Sequence, residues 1–545
     1  MYIKNIKTKN FKCFNENEVK FRLPDGENDG SGLNIFVGEN NCGKSSIMEA
    51  LYFLRNKVKR DPRRISANDD EEYYVECDFV GDVEQAIDDF AQDNKVAAFK
   101  KYLYDDNGTT TLTVRKDFSS DDSAKKICFW SEADGYKPIG LDASFQRIFQ
   151  ISNIWARTNP EDESKFGAST VCGNLLTDIS EKFKIDHSEQ YRQFLTIFNE
   201  VFNNEQGGLQ GDLNRVAEET QEIMNEQFGS VGLKFRFDNP EPNILFKNIK
   251  VLVDDGEETE LAEKGHGMQR AVILSLLQVY ARRITELEDE EGNVKIKPHF
   301  LFIDEPEMGL HPQAQKKLFD ALQVIAKTHQ VFISTHSENF IAADLTENII
   351  RFHKEADGIS THSLAGIDMD LRPYRKFFFH HHKLFFARKA LFVEGADDYE
   401  RMPLFAGAND IGNLRKDFYL MSGSGDGSMF KKLCDALGIR SFFVFDVDVL
   451  SANKQDLRSF SVDLHGRCVS LGKICPRKDP SNLQDTNLTD AEITEKNAIV
   501  DDFSTLGVYV LRDGALEQYL DEAGEELDET KGDELRRIFT VINQI

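Results

Sequence analysis

The sequence predicts an α/β protein built from two units that follow one another along the chain. Three observations support this prediction. An apolar strand, a glycine-containing loop and a helix succeed one another in residues 33–54. Two further apolar stretches, at residues 299–303 and 330–334, each lead into polar residues. From Lys389 onward, strand, loop and helix patterns alternate, which is typical of a small parallel sheet.

Length and composition limit the classes of protein to consider. A chain of 545 residues is too long for one ordinary domain. The net charge of −28 argues against nonspecific coating of nucleic acid, although it leaves room for a local basic channel. No apolar run is long enough to span a bilayer and the N-terminus lacks a signal-peptide core, so we expect a cytoplasmic protein without membrane contact. The eight cysteines stand singly, which suggests neither a zinc ribbon nor a disulfide framework.

The stretch LNIFVGENNCGKSSIMEALYFL contains a phosphate-binding loop. It matches the pattern GxxxxGK[ST] at Gly38, Gly43, Lys44 and Ser45. The glycines allow backbone N–H groups to surround phosphate oxygens, and the following helix directs its positive end at them. Lys44 is expected to reach the terminal phosphates of ATP and Ser45 to bind Mg²⁺. Asn41 and Ser46 complete the predicted contacts of this loop.

A second strand end is expected to complete the nucleotide site. In HFLFIDEPEMGLHP, Asp304 fits the acid that orders Mg²⁺, and Glu305 fits the base that polarises the attacking water. The alternative is a core strand that ends in a solvated turn. The next strand, in QVFISTHSENF, leads into His336, which we interpret as a γ-phosphate sensor. A purely structural histidine is the alternative there.

Between these motifs, a glycine-containing loop opens the helix of ELAEKGHGMQRAVILSLLQVYARR. The order of phosphate loop, glycine loop, IDEP and STH resembles the ATP-binding-cassette (ABC) ATPases, and among them the branch of RecF- and SMC-like heads. The opening MYIKNIKTKNFKCFNENEVKF is similar to the first hairpin of that branch. The resemblance implies an ATP-sandwich homo-oligomer, a dimer or tetramer. In it, Gly265, Gly267 and Gln269 of one head would complete the ATP site of another.

The resemblance also suggests a division into domains. We expect an N-terminal ATPase lobe at residues 1–160, a helical insertion at 161–228, and the rest of the ATPase at 229–370. The insertion lacks the sustained heptads of an SMC coiled coil, so we interpret it as a subunit contact. Residues 371–545 are expected to form the second domain.

The second domain places carboxylates at the ends of its strands. Glu394 and Asp398 follow the strand in KALFVEGADDYE, and Asp446 and Asp448 end the strand in RSFFVFDVDVL. The carboxyl ends of parallel strands meet at one edge of a sheet, and acids two apart on a strand share a face. Oxygen donors that converge without evident Lys or Arg partners suit Mg²⁺ or Mn²⁺. The alternative is a set of solvated, structural acids.

This glutamate strand followed by a DxD strand resembles the Toprim domain of topoisomerases, primases and nucleases. Glu517, in LGVYVLRDGALEQYLDEAG, is similar to an additional glutamate of the nuclease branch. An SMC-like ATPase followed by a Toprim domain resembles the OLD (overcoming lysogenization defect) nucleases over nearly the whole chain. The resemblance implies an ATP-regulated DNA endonuclease or nickase of bacterial anti-phage defence that uses two metal ions. The implied metal ligands are Glu394, Asp398, Asp446, Asp448 and Glu517.

Some features remain open at this stage. The family carries a basic residue near the C-terminal end of Toprim that we do not place, and Lys531 is a poor candidate among its acidic neighbours. The chain stops early at Ile545, which leaves open an incomplete second metal site or a truncated chain. The resemblance also leaves room for a UvrD-like helicase partner. The competing hypotheses are an ATP-gated DNA-binding or signalling scaffold with an inactive Toprim domain and, with less support, a topoisomerase or primase.

Overall fold

A computed structural model describes residues 1–55, 72–117, 127–155, 187–202, 208–228, 251–284, 297–342, 344–355, 358–364, 381–412, 414, 418–422, 427–450, 456–471 and 488–544. Its strands are β1 Tyr2–Phe11, β2 Phe14–Lys20, β3 Leu33–Gly38, β4 Tyr74–Val80, β5 Leu103–Asp106, β6 Thr109–Asp117, β7 Ile127–Ser131, β8 Gly135–Pro138, β9 Gln150–Ile154, β10 Leu252–Asp254, β11 Glu258–Glu260, β12 His299–Asp304, β13 Gln330–Ser334, β14 Ile349–Glu355, β15 Gly358–Ser363, β16 Lys389–Val393, β17 Tyr419–Ser422, β18 Arg440–Phe445 and β19 Val508–Val510. Its α-helices are α1 Lys44–Arg55, α2 Val83–Phe90, α3 Asp93–Lys100, α4 Asp142–Ile148, α5 Ser188–Phe202, α6 Gly208–Phe228, α7 His266–Ile284, α8 Pro312–Ile325, α9 Ala396–Ala408, α10 Gly427–Ala436, α11 Val462–Leu471, α12 Asp490–Ser504 and α13 Glu529–Gln544.

The first half of the chain is organised around a six-stranded sheet with the order β15-β14-β3-β13-β12-β9. Every neighbouring pair runs parallel except β14 and β15. The strands that lead into the phosphate loop, into Asp304 and into His336 are therefore adjacent and end at one edge of the sheet. The topology alone brings together motifs that lie some 300 residues apart in sequence.

The two faces of this sheet are buried in different cores. Alternate residues of the central strands point to opposite sides, as expected for a sheet covered on both faces. One of these cores lies between one face of the sheet, the buried face of α1 and the antiparallel sheet β2-β1-β4-β6-β7-β8. Strands β1 and β2 form the predicted first hairpin. The residues of this core from strands β3, β12 and β13 are Phe36, Phe300, Phe302 and Phe332.

The second half contains a four-stranded sheet in the order β17-β16-β18-β19, and all its pairs are parallel. Its strands are short and apolar, and helices α9, α10 and α12 connect them or pack on them. The predicted α/β architecture is confirmed, and so is the predicted parallel sheet of the second half.

The two halves share one continuous core. Ile35, Ile303 and Ile333 of the central sheet belong to the same buried cluster as Phe392 and Phe443 of the second sheet. Arg351 of β14 lies at this junction. It is 0% exposed, so its guanidinium is a buried cation. Its guanidinium donates to the carbonyl oxygens of Leu437 (2.9 Å), Gly438 (3.2 Å) and Ala387 (2.6 Å).

Replacing Arg351 with methionine is expected to destabilise the whole chain. Three buried carbonyl groups would lose a charged donor, and methionine fills the volume without replacing those hydrogen bonds. We expect a loss of about 2–4 kcal/mol in the free energy of unfolding. Chemical denaturation followed by circular dichroism measures this loss. Arg22→Met is the matched control, because Arg22 pairs with Glu347 at the surface and should change stability by less than about 1 kcal/mol. Equal stability of the two variants would contradict the stabilising role of Arg351 at this junction.

Part of the predicted domain division falls on residues outside the described ranges. Helices α5 and α6 lie within the predicted insertion, but residues 161–186 of it, the boundary near residue 370 and the basic, aromatic run at 372–380 are not described. No helix in the described ranges combines the length and apolarity needed to cross a membrane.

Candidate functional site

The phosphate loop joins β3 to α1 as the sequence predicts. Gly38 and Gly43 have positive φ angles of 133° and 97°, and Asn41 has a φ of 62°. A Cβ atom on Gly38 would lie 2.2 Å from the carbonyl oxygen of Phe352, so only glycine fits there. The loop thus has the tight backbone turn that a phosphate cradle requires. Ser46 lies in the first turn of α1.

Lys44 is held in place at the start of α1. Its ammonium donates to the carbonyl oxygens of Gly38 (3.0 Å) and Glu39 (2.7 Å) and lies 2.8 Å from Nε2 of His336. Burial lowers the pKa of Lys44, and burial together with the Lys44 charge lowers the pKa of His336. The structure therefore brings together the predicted phosphate-binding lysine and the predicted γ-phosphate sensor.

The predicted magnesium ligands of the nucleotide site also meet. Ser45 Oγ donates to Asp304 Oδ1 at 2.8 Å, and Ser334 donates to the same oxygen. Arg270 of α7 reaches the backbone carbonyl of Asp304 at 3.3 Å. A hydroxyl and a carboxylate in direct contact form the oxygen pair that Mg²⁺ bound to a nucleotide uses in phosphate-loop proteins.

Glu305 and Glu307 follow Asp304 and occupy different environments. Glu305 has a φ of 50°, a conformation that most residues avoid, and its backbone N–H donates to the carbonyl of Ser334. Glu307, which the sequence interpretation missed, accepts from Thr335 Oγ1 (2.9 Å) and from the backbone N–H of His336 (2.6 Å). Burial raises the pKa of Glu307. Glu307 thus fixes the loop that carries His336, and the second glutamate of DEPE is the signal that could have identified it.

The glycine loop lies next to the turn after β12. A Cβ atom on Gly267 would lie 2.4 Å from the carbonyl oxygen of Gly309, whereas Gly265 faces open space. Gln269 is buried, and its amide donates to the carbonyls of Ala262 (3.0 Å) and Lys264 (2.8 Å) in its own chain. Gln269 therefore has a structural role within this loop. The role of Gly265, Gly267 and Gln269 toward a second head stays a prediction.

Carboxylates gather at the carboxyl edge of the second sheet. Glu394 follows β16, Asp446 follows β18, and Glu517 lies in the 3₁₀ turn Leu516–Gln518 after β19. Glu394 Oε2 accepts from the backbone N–H of Asp446 at 3.2 Å, and Asp446 Oδ1 accepts from the N–H of Leu516 at 3.1 Å. Three adjacent strand ends thus converge on Asp446.

The prediction that Asp446 and Asp448 share a face of one strand is wrong. Strand β18 ends at Phe445, and Asp448 lies in the 3₁₀ helix Val447–Leu450. The chain turns there because the N–H of Val449 donates to the Asp446 carbonyl and the N–H of Val447 donates to Gly514, each at 3.2 Å. Asp398, which is predicted to be a metal ligand, also makes a hydrogen bond within its own turn. Its Oδ2 accepts from the N–H of Gly395 at 2.8 Å and caps the start of α9.

The electrostatics of this edge favour a cation. Burial, followed by the charges of Glu394 and Asp398, raises the pKa of Asp446 to about 8. Burial also raises the pKa of Asp398. Among the described residues, Asp398, Asp446 and Glu517 form no ion pair with lysine or arginine, and no three acidic, histidine or cysteine side chains are already arranged to hold a metal ion. The all-oxygen donor set fits Mg²⁺ or Mn²⁺ in its chemistry.

Two lysines lie near this edge. The sequence interpretation considered Lys531 and did not consider Lys496. Lys531, set aside for its acidic neighbours, donates to the carbonyls of Asp513 and Gln518, both at 3.3 Å, on either side of Glu517. Lys496 is 2% exposed and donates to the carbonyl of Arg512 at 3.0 Å. Lys496 lies on the buried stripe of α12, and a lysine at helical spacing from apolar residues is the signal that could have revealed it.

Comparison with protein families finds two matches that follow the two halves of the chain. Residues 1–341 match the model of the AAA ATPase domain. Residues 385–448 match the model of the overcoming lysogenization defect protein-like TOPRIM domain. The second match contains Glu394, Asp398, Asp446 and Asp448.

Curated relatives extend across both halves. The chain is 27% identical to Old nuclease of Escherichia phage P2, over 76% of this chain and 73% of the relative. It is 21% identical to Endonuclease GajA of Bacillus cereus strain HuB5-5, over 96% of this chain and 87% of the relative. Among solved structures, an SMC head bound to the C-terminal winged-helix domain of ScpA aligns with 67% of this chain and 98% of its own, at 14% identity and a TM-score of 0.38.

Proposed function

Because the chain belongs to the AAA ATPase domain family and carries an OLD-like TOPRIM domain, we propose that it is an ATP-regulated, divalent-metal-dependent DNA endonuclease or nickase. The relatives named as nucleases support hydrolysis of a phosphodiester bond as the reaction class. A role in bacterial anti-phage defence follows from the OLD resemblance.

One observation carries the proposal. Carboxylates from three adjacent strand ends converge on Asp446, whose charge is unfavourable there unless a cation compensates it. A purely structural cluster of acids would instead be expected to be paired or solvated.

The residues of this edge have separate tasks in the proposed reaction. The bound divalent cations would be held by Glu394, Asp398, Asp446, Asp448 and Glu517. Such cations supply an activated water and stabilise the leaving oxygen. The N–H of Leu516 orients the Asp446 carboxylate, and the N–H of Gly395 orients that of Asp398. Lys531 holds the turn that carries Glu517 and places a positive charge beside it, where a DNA phosphate would lie.

The nucleotide half would bind Mg–ATP through the phosphate loop. Lys44 is positioned for the terminal phosphates, Ser45 and Asp304 for Mg²⁺, and Glu305 for the attacking water. His336 contacts Lys44 and would report the γ-phosphate.

Incubation of supercoiled plasmid with Mg²⁺ or Mn²⁺, with and without ATP, tests the proposal. We expect nicked or linear product only when a divalent cation is present, and a change in rate on addition of ATP. ATP turnover and DNA retention without any product would instead support the scaffold with an inactive TOPRIM domain.

We also propose that α5 of the helical insertion contacts a second copy of the chain. Phe194, Ile197 and Val201 lie on one face of this helix and are 39%, 60% and 51% exposed. Ile197→Asp is expected to shift the protein from an oligomer to a smaller species, because a charge would be buried in an apolar contact. Size-exclusion chromatography with light scattering measures this. Thr196→Asp, on the opposite face, should leave the mass unchanged, and an unchanged mass for both variants would argue against α5.

A UvrD-like helicase partner stays a prediction.

A further inference from the structure

Three consecutive residues just before β16 each contact the nucleotide half of the chain. We name residues 386–388 the junction segment. The ring of Phe386 stacks on His336, with centroids 6.3 Å apart and an interplanar angle of 28°. The carbonyl of Ala387 accepts from Arg351 at 2.6 Å. The guanidinium of Arg388 forms an ion pair with the carboxylate of Glu39 in the phosphate loop.

The junction segment leads directly to the carboxylate edge. Strand β16 starts at Lys389, and Glu394 follows its last residue, so the two ends are separated by about 17 Å of extended chain. Strand β18, which leads to Asp446, is held in the same way, because Arg351 also binds the carbonyls of Leu437 and Gly438 just before it. Both strands that deliver these acids are thus anchored at their starts on the nucleotide half.

The same junction segment is tied to the phosphate-binding lysine. Lys44 contacts the carbonyl of Glu39 and the ring of His336, the two residues whose side chains touch Arg388 and Phe386. A bound phosphate would compete with the Glu39 carbonyl and the His336 ring for the Lys44 ammonium. Both of these contacts involve a residue that packs against the junction segment.

From these contacts we infer that the junction segment transmits the state of the phosphate loop to the strand that ends in Glu394, with Arg388 and Glu39 as the residue pair that couples them. This inference rests on the proposed function for its consequence, which is control of cutting by ATP. Arg388 is a positioning residue in this scheme, since it reaches the carboxylates only through β16.

The expected effect of breaking this pair is moderate. The Arg388 side chain is 66% exposed and that of Glu39 is 19% exposed. An ion pair that is exposed to this extent changes an equilibrium constant by about 5-fold at most. The contacts of Phe386 and Ala387 would remain in an Arg388 variant. We therefore expect Arg388→Glu, which replaces attraction by repulsion, to reduce the response to ATP several-fold while leaving activity without nucleotide unchanged.

Hydrogen–deuterium exchange of residues 389–394 in the full chain tests the inference directly. In the wild type, Mg–ATP should change the exchange of these amides relative to Mg²⁺ alone. In Arg388→Glu the change should shrink at least about 2-fold, with ATP affinity, measured by calorimetry, retained. Lys383→Glu is the matched control, because Lys383 lies nearby but pairs with Glu338 instead of the phosphate loop. Arg388→Gln provides a milder variant if charge reversal impairs folding.

The outcomes separate this inference from the proposed function. No ATP-dependent exchange in residues 389–394 of the wild type, or an equal response in the Arg388 variants, would overturn the coupling even if the protein cuts DNA. Absence of cutting under every condition would remove the proposed function, and the exchange measurement would still decide the coupling. In a cutting assay, the ratio of rates with and without ATP should move toward one in Arg388→Glu and stay at the wild-type value in Lys383→Glu.

Discussion

Replacing Asp446 with asparagine is expected to abolish metal-dependent DNA cutting, with a loss of at least about 100-fold in rate. Removing a partner that only orients a metal ligand already costs about 10- to 100-fold, and Asp446 lies where three strand ends meet. Gel analysis of plasmid incubated with Mn²⁺ measures the loss. Asp448→Ala is expected to behave similarly, whereas Asp463→Asn, at an exposed position of α11, should cut at the wild-type rate. Undiminished cutting by an Asp446/Asp448 double variant would refute the nuclease assignment.

The same variant is expected to stabilise the metal-free protein. Burial and the neighbouring carboxylates raise the pKa of Asp446 to about 8, well above the ordinary value of an aspartate, so ionisation is less favourable in the folded chain than in the unfolded chain. This group therefore makes the wild type lose stability as the pH rises from about 4 to about 8. Thermal unfolding in EDTA should give Asp446→Asn a higher free energy of unfolding than the wild type at pH 9, by an amount on the order of 2–5 kcal/mol. This difference should become smaller as the pH falls toward 4. Mn²⁺ should raise the melting temperature of the wild type and not that of the variant.

Replacing Lys44 with alanine is expected to abolish the response to ATP while metal-dependent cutting persists. The Lys44 ammonium is already buried at the start of α1, where no other cation among the described residues contacts the carbonyls of Gly38 and Glu39. Without it, the affinity for ATP should fall by at least about 10- to 100-fold, or roughly 1.4–2.8 kcal/mol. Calorimetric titration with Mg–ATP measures this change.

The controls for Lys44 separate binding from folding. Lys317→Ala, at an exposed position of α8, should bind ATP as the wild type does. Lys44→Ala also leaves the carbonyls of Gly38 and Glu39 without this donor, so the melting temperature without ATP measures the folding cost separately from the loss of ATP affinity. Full ATP affinity in Lys44→Ala would contradict the assignment of the phosphate loop.

Several structural features could be read from local sequence because their cause is local. The GxxxxGK[ST] pattern specifies a turn that only glycine permits at Gly38, and this turn is observed. Alternating apolar strands and helices indicated the parallel sheets, since the carboxyl ends of such strands share an edge. The positions of Ser45, Asp304 and His336 around Lys44 follow from that same rule.

Other features could not be read in this way because they depend on contacts between distant segments. The strand pattern extended β18 through Asp448, whereas bonds to the Asp446 and Gly514 carbonyls turn the chain after Phe445. Local composition made Lys531 look like a surface lysine among acids, although its ammonium lies against the turn of Glu517. Gln269 was predicted to act at a subunit interface, and only the folded loop shows the hydrogen bonds that it donates to the carbonyls of Ala262 and Lys264.

Residue type and short-range spacing were sufficient to predict the two α/β halves, the phosphate loop and the set of carboxylates. How the halves are joined became evident only from contacts in the folded chain. The roles of Arg351 and of the junction segment depend on contacts with carbonyl groups and side chains that are far away in the sequence. A buried guanidinium must find acceptors wherever the fold places them, and no local pattern encodes which acceptors those are.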